Sequence, residues 1–136
     1  MTKEEQLYTY GKDLVDALSP IVNLKYDDFQ KTLLAEFSVD KQDQVLLTLQ
    51  QLLPVSWDAK SIKKAPDEIK HLAGDFSKLA KNQKLLSIGQ GKQQNLMAVW
   101  WPWGHGATVS VRIFLTNTSP YVAKTGFFHR MKNLFA

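Results

Sequence analysis

The sequence predicts an α+β fold in which a helical layer packs on one face of a small antiparallel sheet. Helical periodicity dominates residues 1–82, and β-rich runs separated by glycine turns dominate residues 83–136. A length of 136 residues fits a single domain. We therefore expect about four helices, a three-stranded meander and a short C-terminal amphipathic helix.

Four amphipathic segments are predicted to form the helical layer. Thr2 and Glu5 have capping-box spacing at the start of the first, and Pro66 stands at the first position of the last. The second helix is predicted from apolar side chains spaced every four residues, at Phe29, Leu33 and Phe37. Val55–Lys64 is predicted to be a connection. The helices are expected over Lys3–Leu18, over Tyr26–Phe37, from an N-cap at Asp40 to Pro54, and from Pro66 through Leu79.

Three strands are predicted in the second half of the chain. Leu96–Trp101 and Thr108–Thr116 are β-rich runs that flank Gly104-His105-Gly106, which indicates a β-hairpin. Leu85–Gly89 is a short candidate strand, and the polar loop Gln90–Gln94 would link it to the hairpin. The C-terminal helix is predicted over residues 124–136.

The side-chain pattern favours a three-residue loop in this hairpin. Such a loop pairs Trp101 with Val109, which gathers apolar residues of both strands on one face. A two-residue loop would set Trp101 beside Thr108, and a slip of one residue exchanges the faces. In the preferred register, Arg112 lies diagonal to Trp100, within reach of a cation–π contact.

The hairpin face that carries Trp100 and Arg112 is the more polar of the two. It is either exposed and functional or covered by helices. The covered alternative is favoured, because aromatic residues in small domains are usually core.

Composition excludes several chemistries. The absence of cysteine removes disulfides and cysteine-ligated metal sites, and no cofactor is expected. The N-terminus lacks an apolar signal region, and no apolar run is long enough to cross a membrane. These features predict a cytoplasmic protein and fit a bacterial or phage origin.

The distribution of charge is the most specific feature of the sequence. Residues 1–75 hold nine basic residues and all 13 acidic ones, a balance of −4. Residues 76–136 hold eight basic residues and no acid, a balance of +8. Such asymmetry indicates an anionic partner. It is equally compatible with a basic sheet that packs beside the acidic helices of its own chain.

Three binding functions are compatible with this pattern. The first is a non-enzymatic interaction module that contacts an acidic or anionic partner, above all another protein, since Trp and Arg are enriched at binding hot spots. The second is single-stranded nucleic-acid binding by the basic aromatic sheet. The candidate residues for both are Trp100, Trp101, Trp103, His105, Arg112, Lys92 and Lys84. The third is peripheral membrane contact through the C-terminal helix, with Phe127, Phe128, Arg130, Met131, Lys132 and Phe135 as candidates.

No enzyme signature is present. His105, between two glycines, would be the first suspect for a general base, with Arg112 beside it. Metal binding is not expected, because His105 has no neighbouring histidine or cysteine. A polar turn residue is the preferred interpretation of His105.

Overall fold

The computed structural model describes residues 1–89 and 95–117. Within these residues, four α-helices and a six-stranded antiparallel sheet confirm the α+β class, whereas the predicted three-stranded meander is wrong. The helices are α1 (Lys3–Tyr10), α2 (Lys12–Leu18), α3 (Gln42–Leu52) and α4 (Asp67–Ala73). The strands are β1 (Lys25–Asp27), β2 (Thr32–Ser38), β3 (Val55–Asp58), β4 (Lys84–Ser87), β5 (Leu96–Pro102) and β6 (Thr108–Leu115). Short 3₁₀ helices cover Val39–Lys41, Ser61–Lys64 and Gly74–Ser77.

The strand order in the sheet is β1-β2-β6-β5-β4-β3. The predicted strand and hairpin of the second half are present as β4, β5 and β6, and they form the middle of the sheet together with β2. The two edges are short, with three residues in β1 and four in β3. Short edge strands limit pairing with other chains.

The helix predicted over Tyr26–Phe37 is wrong, because this segment forms the β1–β2 hairpin. Leu33, Ala35 and Phe37 alternate along β2 and are buried on one face of the sheet. Phe29, which suggested the helical spacing, lies in the turn and is exposed. The alternation of burial has the period of a strand, and pairing with β6 stabilises it.

The predicted connection Val55–Lys64 is also wrong in part, because it contains β3 and a 3₁₀ helix. Trp57 lies opposite Leu85 in the β3–β4 ladder. Four residues of strand are too few for periodicity to detect. Pro54 immediately precedes β3, where it cannot donate to a ladder.

The first predicted helix is divided at Gly11 into α1 and α2. Thr2 caps α1 as predicted, since its hydroxyl accepts from the Glu5 N–H at 3.1 Å. A Cβ atom at position 11 would lie 2.7 Å from the Leu7 carbonyl oxygen. Glycine therefore allows the close approach of α1 and α2 at this junction.

Helices cover both faces of the sheet rather than one. On the first face, α1, α2 and α3 bury a cluster that includes Leu33, Trp100 and Ile113. On the second face, α4 and its flanking 3₁₀ helices bury a separate cluster around Met97 and Phe114. The prediction of a helical layer on one face is therefore wrong, and the central strands are buried from both sides.

The register of the β5–β6 hairpin differs by one residue from the predicted one. Trp101 lies opposite Ser110, whereas the sequence pattern placed it opposite Val109. The Trp103 N–H donates to the Thr108 carbonyl at 2.8 Å, so residues 104–107 form a four-residue loop. Gly106 has a φ of +81° in this loop, a conformation that favours glycine.

The predicted C-terminal helix (residues 124–136) and the loop Gln90–Gln94 lie outside the described residues. The single-domain organisation stays a prediction. Within residues 1–89 and 95–117, none of the helices has the length and apolar character needed to cross a membrane.

Candidate interaction surface

Three of the four tryptophans lie in or directly after β5, and their environments differ. Trp100 points to the first face, where it is only 4% exposed and contacts Phe37 with 5.8 Å between ring centroids. Trp100 is therefore a core residue, and its side chain does not reach a partner in this fold. Trp101, one position later, points to the second face and is partly exposed.

Trp103 is the most exposed of the candidate tryptophans. Its side chain is folded over the second face, where Nε1 donates to the Ser110 hydroxyl at 2.6 Å. The residue still exposes 42% of its surface. The His105 ring contacts the Trp103 ring edge-on, with 5.5 Å between the ring centroids. Trp103 is thus held in one orientation while much of its ring faces solvent.

His105 has a structural partner in the hairpin loop. Its Nδ1 accepts a hydrogen bond from the Ala107 N–H at 3.0 Å. This bond stabilises the loop, as expected of a polar turn residue. In the described part of the chain, no group of three or more His, Cys, Asp or Glu side chains could hold a metal ion.

Arg112 is paired with a carboxylate of the first half of the chain. One Nη1 atom donates to Asp27 Oδ2 at 2.6 Å and to the Thr32 hydroxyl at 2.9 Å. The guanidinium carbon of Arg112 lies 5.6 Å from the centroid of the Trp101 ring. The cation–π contact is therefore made with Trp101 and not, as predicted, with Trp100. The one-residue change of register explains this exchange, because Arg112 is opposite Val99 and diagonal to Trp101.

The ion pair also builds the turn between β1 and β2. The second carboxylate oxygen of Asp27 accepts from the Phe29 N–H at 3.0 Å. The hydrogen bond from Arg112 lowers the pKa of Asp27, against the opposing effect of burial. Asp27 thereby connects Arg112 on β6 to the β1–β2 turn.

We predict that Asp27→Asn lowers the free energy of unfolding at neutral pH, because Arg112 then keeps a largely buried charge without its counter-ion. The pKa of Asp27 in the folded protein is below the unfolded value of about 3.9. The stabilisation by its carboxylate is therefore complete above that value and is lost as the pH falls through the folded pKa. Urea unfolding measures the free energy of unfolding of wild type and Asp27→Asn between neutral and acid pH. The difference between the two free energies should become smaller only in acid.

Asp28→Asn provides the control, because Asp28 is the next residue and its side chain is 84% exposed. Its surface pair with Lys31 is expected to contribute little at any pH. A difference between wild type and Asp27→Asn that stays constant down to the most acid pH would contradict the role of the ion pair.

Lys84 lies apart from Trp101 and Trp103. On β4, it is opposite Asp58 of β3 and opposite Trp100 of β5. Because directly paired residues share a face, Lys84 lies on the first face with Trp100. The pKa of Asp58 is lowered, chiefly by the Ser61 N–H, and Lys84 adds a smaller charge effect. Lys92 and the membrane candidates Phe127, Phe128, Arg130, Met131, Lys132 and Phe135 lie outside the described residues.

One end of the second face is left open by the described helices. The cluster under α4 covers the rest of this face and packs against Trp101, whereas neither hydrophobic cluster includes Leu34 or Trp103. The open end, here called the Trp surface, consists of residues from β2, β5 and β6 and the start of the hairpin loop. Its members are Leu34, Glu36, Ser38, Trp101, Trp103 and Thr108.

The charge on and around the Trp surface is mixed. Glu36 is exposed on it, and Asp27 neutralises Arg112 beside it. Lys78 lies 4.0 Å from Asp75, and Lys84 lies opposite Asp58. Three of the four described basic residues after Asp75 therefore lie beside carboxylates from the first 75 residues, and within residues 76–89 and 95–117 they do not form a continuous positive surface.

Sequence reasoning brought together Trp101, Trp103, His105 and Arg112, which do lie on or next to the Trp surface. It did not find Leu34 and Glu36, since the segment that contains them was predicted to be helical. It also did not find Asp27, which is 85 residues from its partner Arg112. The alternation in Thr32–Ser38 is the signal that indicates the strand.

Comparison with known proteins found no matching family model, no similar curated protein and no similar solved structure.

Proposed function

We propose that the protein is a non-enzymatic interaction module that binds another protein through the Trp surface. The observation that supports this most is the state of Trp103, which exposes 42% of its surface while its indole N–H is fixed by Ser110. Large apolar side chains that face solvent at a sheet end mark binding sites more often than isolated surface residues do.

Contacts within the chain orient both tryptophans of the Trp surface. Trp101 is held between Phe76, at 6.0 Å between ring centroids, and the guanidinium of Arg112. Trp103 is held by Ser110 and by the edge of His105. A preorganised aromatic anchor loses little conformational entropy on association, which is a property of binding hot spots.

The mixed charge favours a protein over nucleic acid as the partner. An exposed Glu36 repels phosphate, and the charge of Arg112 is already neutralised by Asp27. The guanidinium also lies over the Trp101 ring, which reduces the area available for base stacking. The predicted preference for an acidic partner now depends on the net charge of +4 more than on the hairpin itself.

We further propose that this interaction takes place in the cytoplasm. The sequence contains no cysteine, as is common where disulfides do not form.

Site-specific photo-crosslinking tests where the partner binds. A photoreactive amino acid at Ser38, which is exposed beside Thr108, should form an adduct with one protein in cells that express the chain. The same amino acid at Leu47, which is 60% exposed on α3 away from this face, is the matched control. The captured protein is then purified and tested for direct binding.

We expect an adduct from position 38, none from position 47, and direct binding of the purified protein. The same adduct from both positions, or no adduct from position 38, would contradict the proposal. A position-38 adduct with nucleic acid, together with binding that falls steeply as salt increases, would favour the nucleic-acid alternative instead.

A further inference from the structure

The β1–β2 turn presents Phe29 to solvent. Phe29 is 91% exposed, more than any other large apolar residue in the described part of the chain. The turn that carries it is well ordered by hydrogen bonds, with Asp27 Oδ1 bound to the Phe29 N–H and Lys31 bound to Asp28 at 2.6 Å. The turn therefore fixes the backbone of Phe29 while its ring faces solvent.

A cleft of about 360 Å³ lies beside this turn. It is lined by Gln30, Asp75, Phe76 and Trp101. Phe76 stacks on Phe114 at 4.3 Å between ring centroids, so the aromatic wall of the cleft is supported from behind. A cavity of roughly 150 Å³ is enough to bind benzene, so the cleft has room for a phenyl ring.

The exposed ring and the cleft are neighbours on one surface, because Gln30 lines the cleft and Phe29 is the residue before it. Phe29 does not fill the cleft of its own chain, as its exposure shows. A projecting apolar side chain next to an apolar cleft is self-complementary under two-fold symmetry. Each of two copies can then insert its ring into the cleft of the other.

The charges around the turn agree with such an arrangement. Asp75 lines the cleft and lies 4.0 Å from Lys78, and the turn beside the cleft carries the Asp28–Lys31 pair, so both signs are present. Both signs at one self-complementary patch allow opposite charges to face each other across a two-fold axis. The Asp27–Arg112 and Asp28–Lys31 pairs leave the turn without the excess positive charge that an anionic lipid surface attracts.

We propose that the chain forms a symmetric homodimer in which Phe29 of each copy occupies the Gln30–Phe76–Trp101 cleft of the other. This goes beyond the proposed function and does not depend on it. Trp101 belongs to both the cleft and the Trp surface. Phe29 belongs only to the dimer contact and Trp103 only to the Trp surface, so Phe29→Ala tests the dimer and Trp103→Ala tests the proposed function.

Sedimentation velocity of the full 136-residue chain, over protein concentrations from roughly 1 µM to 1 mM, measures the self-association. We expect wild type to pass from monomer to dimer in this range. Phe29→Ala should weaken dimerisation by about a hundredfold, because one substitution removes two symmetric contacts of about tenfold each. Leu47→Ala, at another exposed apolar residue, should dimerise as wild type does.

A photoreactive amino acid at position 29 identifies the contact itself. In the purified dimer, the adduct should map to the peptide that contains Phe76 or the peptide that contains Trp101. Wild type that stays monomeric throughout the concentration range, a Phe29→Ala dimer as stable as wild type, or adducts confined to other peptides would each overturn the proposal.

Discussion

Replacing Trp100 by alanine is expected to lower the free energy of unfolding by about 3–5 kcal/mol, which is the usual effect of removing a large aromatic side chain from a core. Trp100 is 4% exposed and belongs to the cluster that packs α1, α2 and α3 on the first face of the sheet. Its contact with Phe37 would be lost together with most of the buried area. Equilibrium unfolding in urea measures the change.

Trp103→Ala is the matched control for this loss. Trp103 is three residues away in the same hairpin and is substantially exposed, so its removal is expected to cost less than about 1 kcal/mol. If Trp100→Ala does not fold, Trp100→Phe keeps an aromatic ring and should show a smaller loss in the same direction. Equal stability of the Trp100→Ala and Trp103→Ala variants would contradict the observed burial of Trp100 in the core, because the two residues would then have similar environments.

The hairpin shows why sequence could predict strands but not their register. The predicted register places the apolar residues on one face, as is expected of a strand whose other face is in solvent. In this sheet, Leu96–Trp100 is buried on both faces, and Ile113 and Phe114 are both buried although they point to opposite sides. Since both faces accept apolar side chains, hydrophobicity did not separate the two registers.

The second predicted helix failed for a related reason. Phe29, Leu33 and Phe37 have helical spacing, but the spacing depends on Phe29, which is exposed in a turn. Without Phe29, the alternating burial of β2 remains, and that alternation is typical of a strand. An exposed phenylalanine is an uncommon turn residue, and its presence there is the observation from which the homodimer was inferred.

The charge distribution illustrates a third limit. Sequence correctly separates an acidic from a basic half, but it does not show which charges meet in space. Arg112 and Asp27 are 85 positions apart and form a largely buried pair. This pair removes from the Trp surface the positive charge that the sequence predicted there. Trp101 and Trp103 were also predicted as binding residues; Trp101 is partly exposed and Trp103 is exposed, and their role in binding stays a prediction.

The second large effect is expected at Trp103. If this residue anchors the partner, Trp103→Ala should weaken binding by about thirtyfold, which corresponds to a hot spot of about 2 kcal/mol. The substitution removes the largest exposed aromatic side chain of the Trp surface and leaves the core untouched. Leu47→Ala, on α3, is the control for a general loss of apolar surface.

The most direct test of the Trp surface is therefore a titration of the purified partner captured from position 38 into three proteins: wild type, Trp103→Ala and Leu47→Ala. Isothermal calorimetry gives the dissociation constant of each. We expect Leu47→Ala to bind as wild type does and Trp103→Ala to bind about thirtyfold more weakly. Equal affinity of all three proteins for that partner would contradict the assignment of the Trp surface as the binding site.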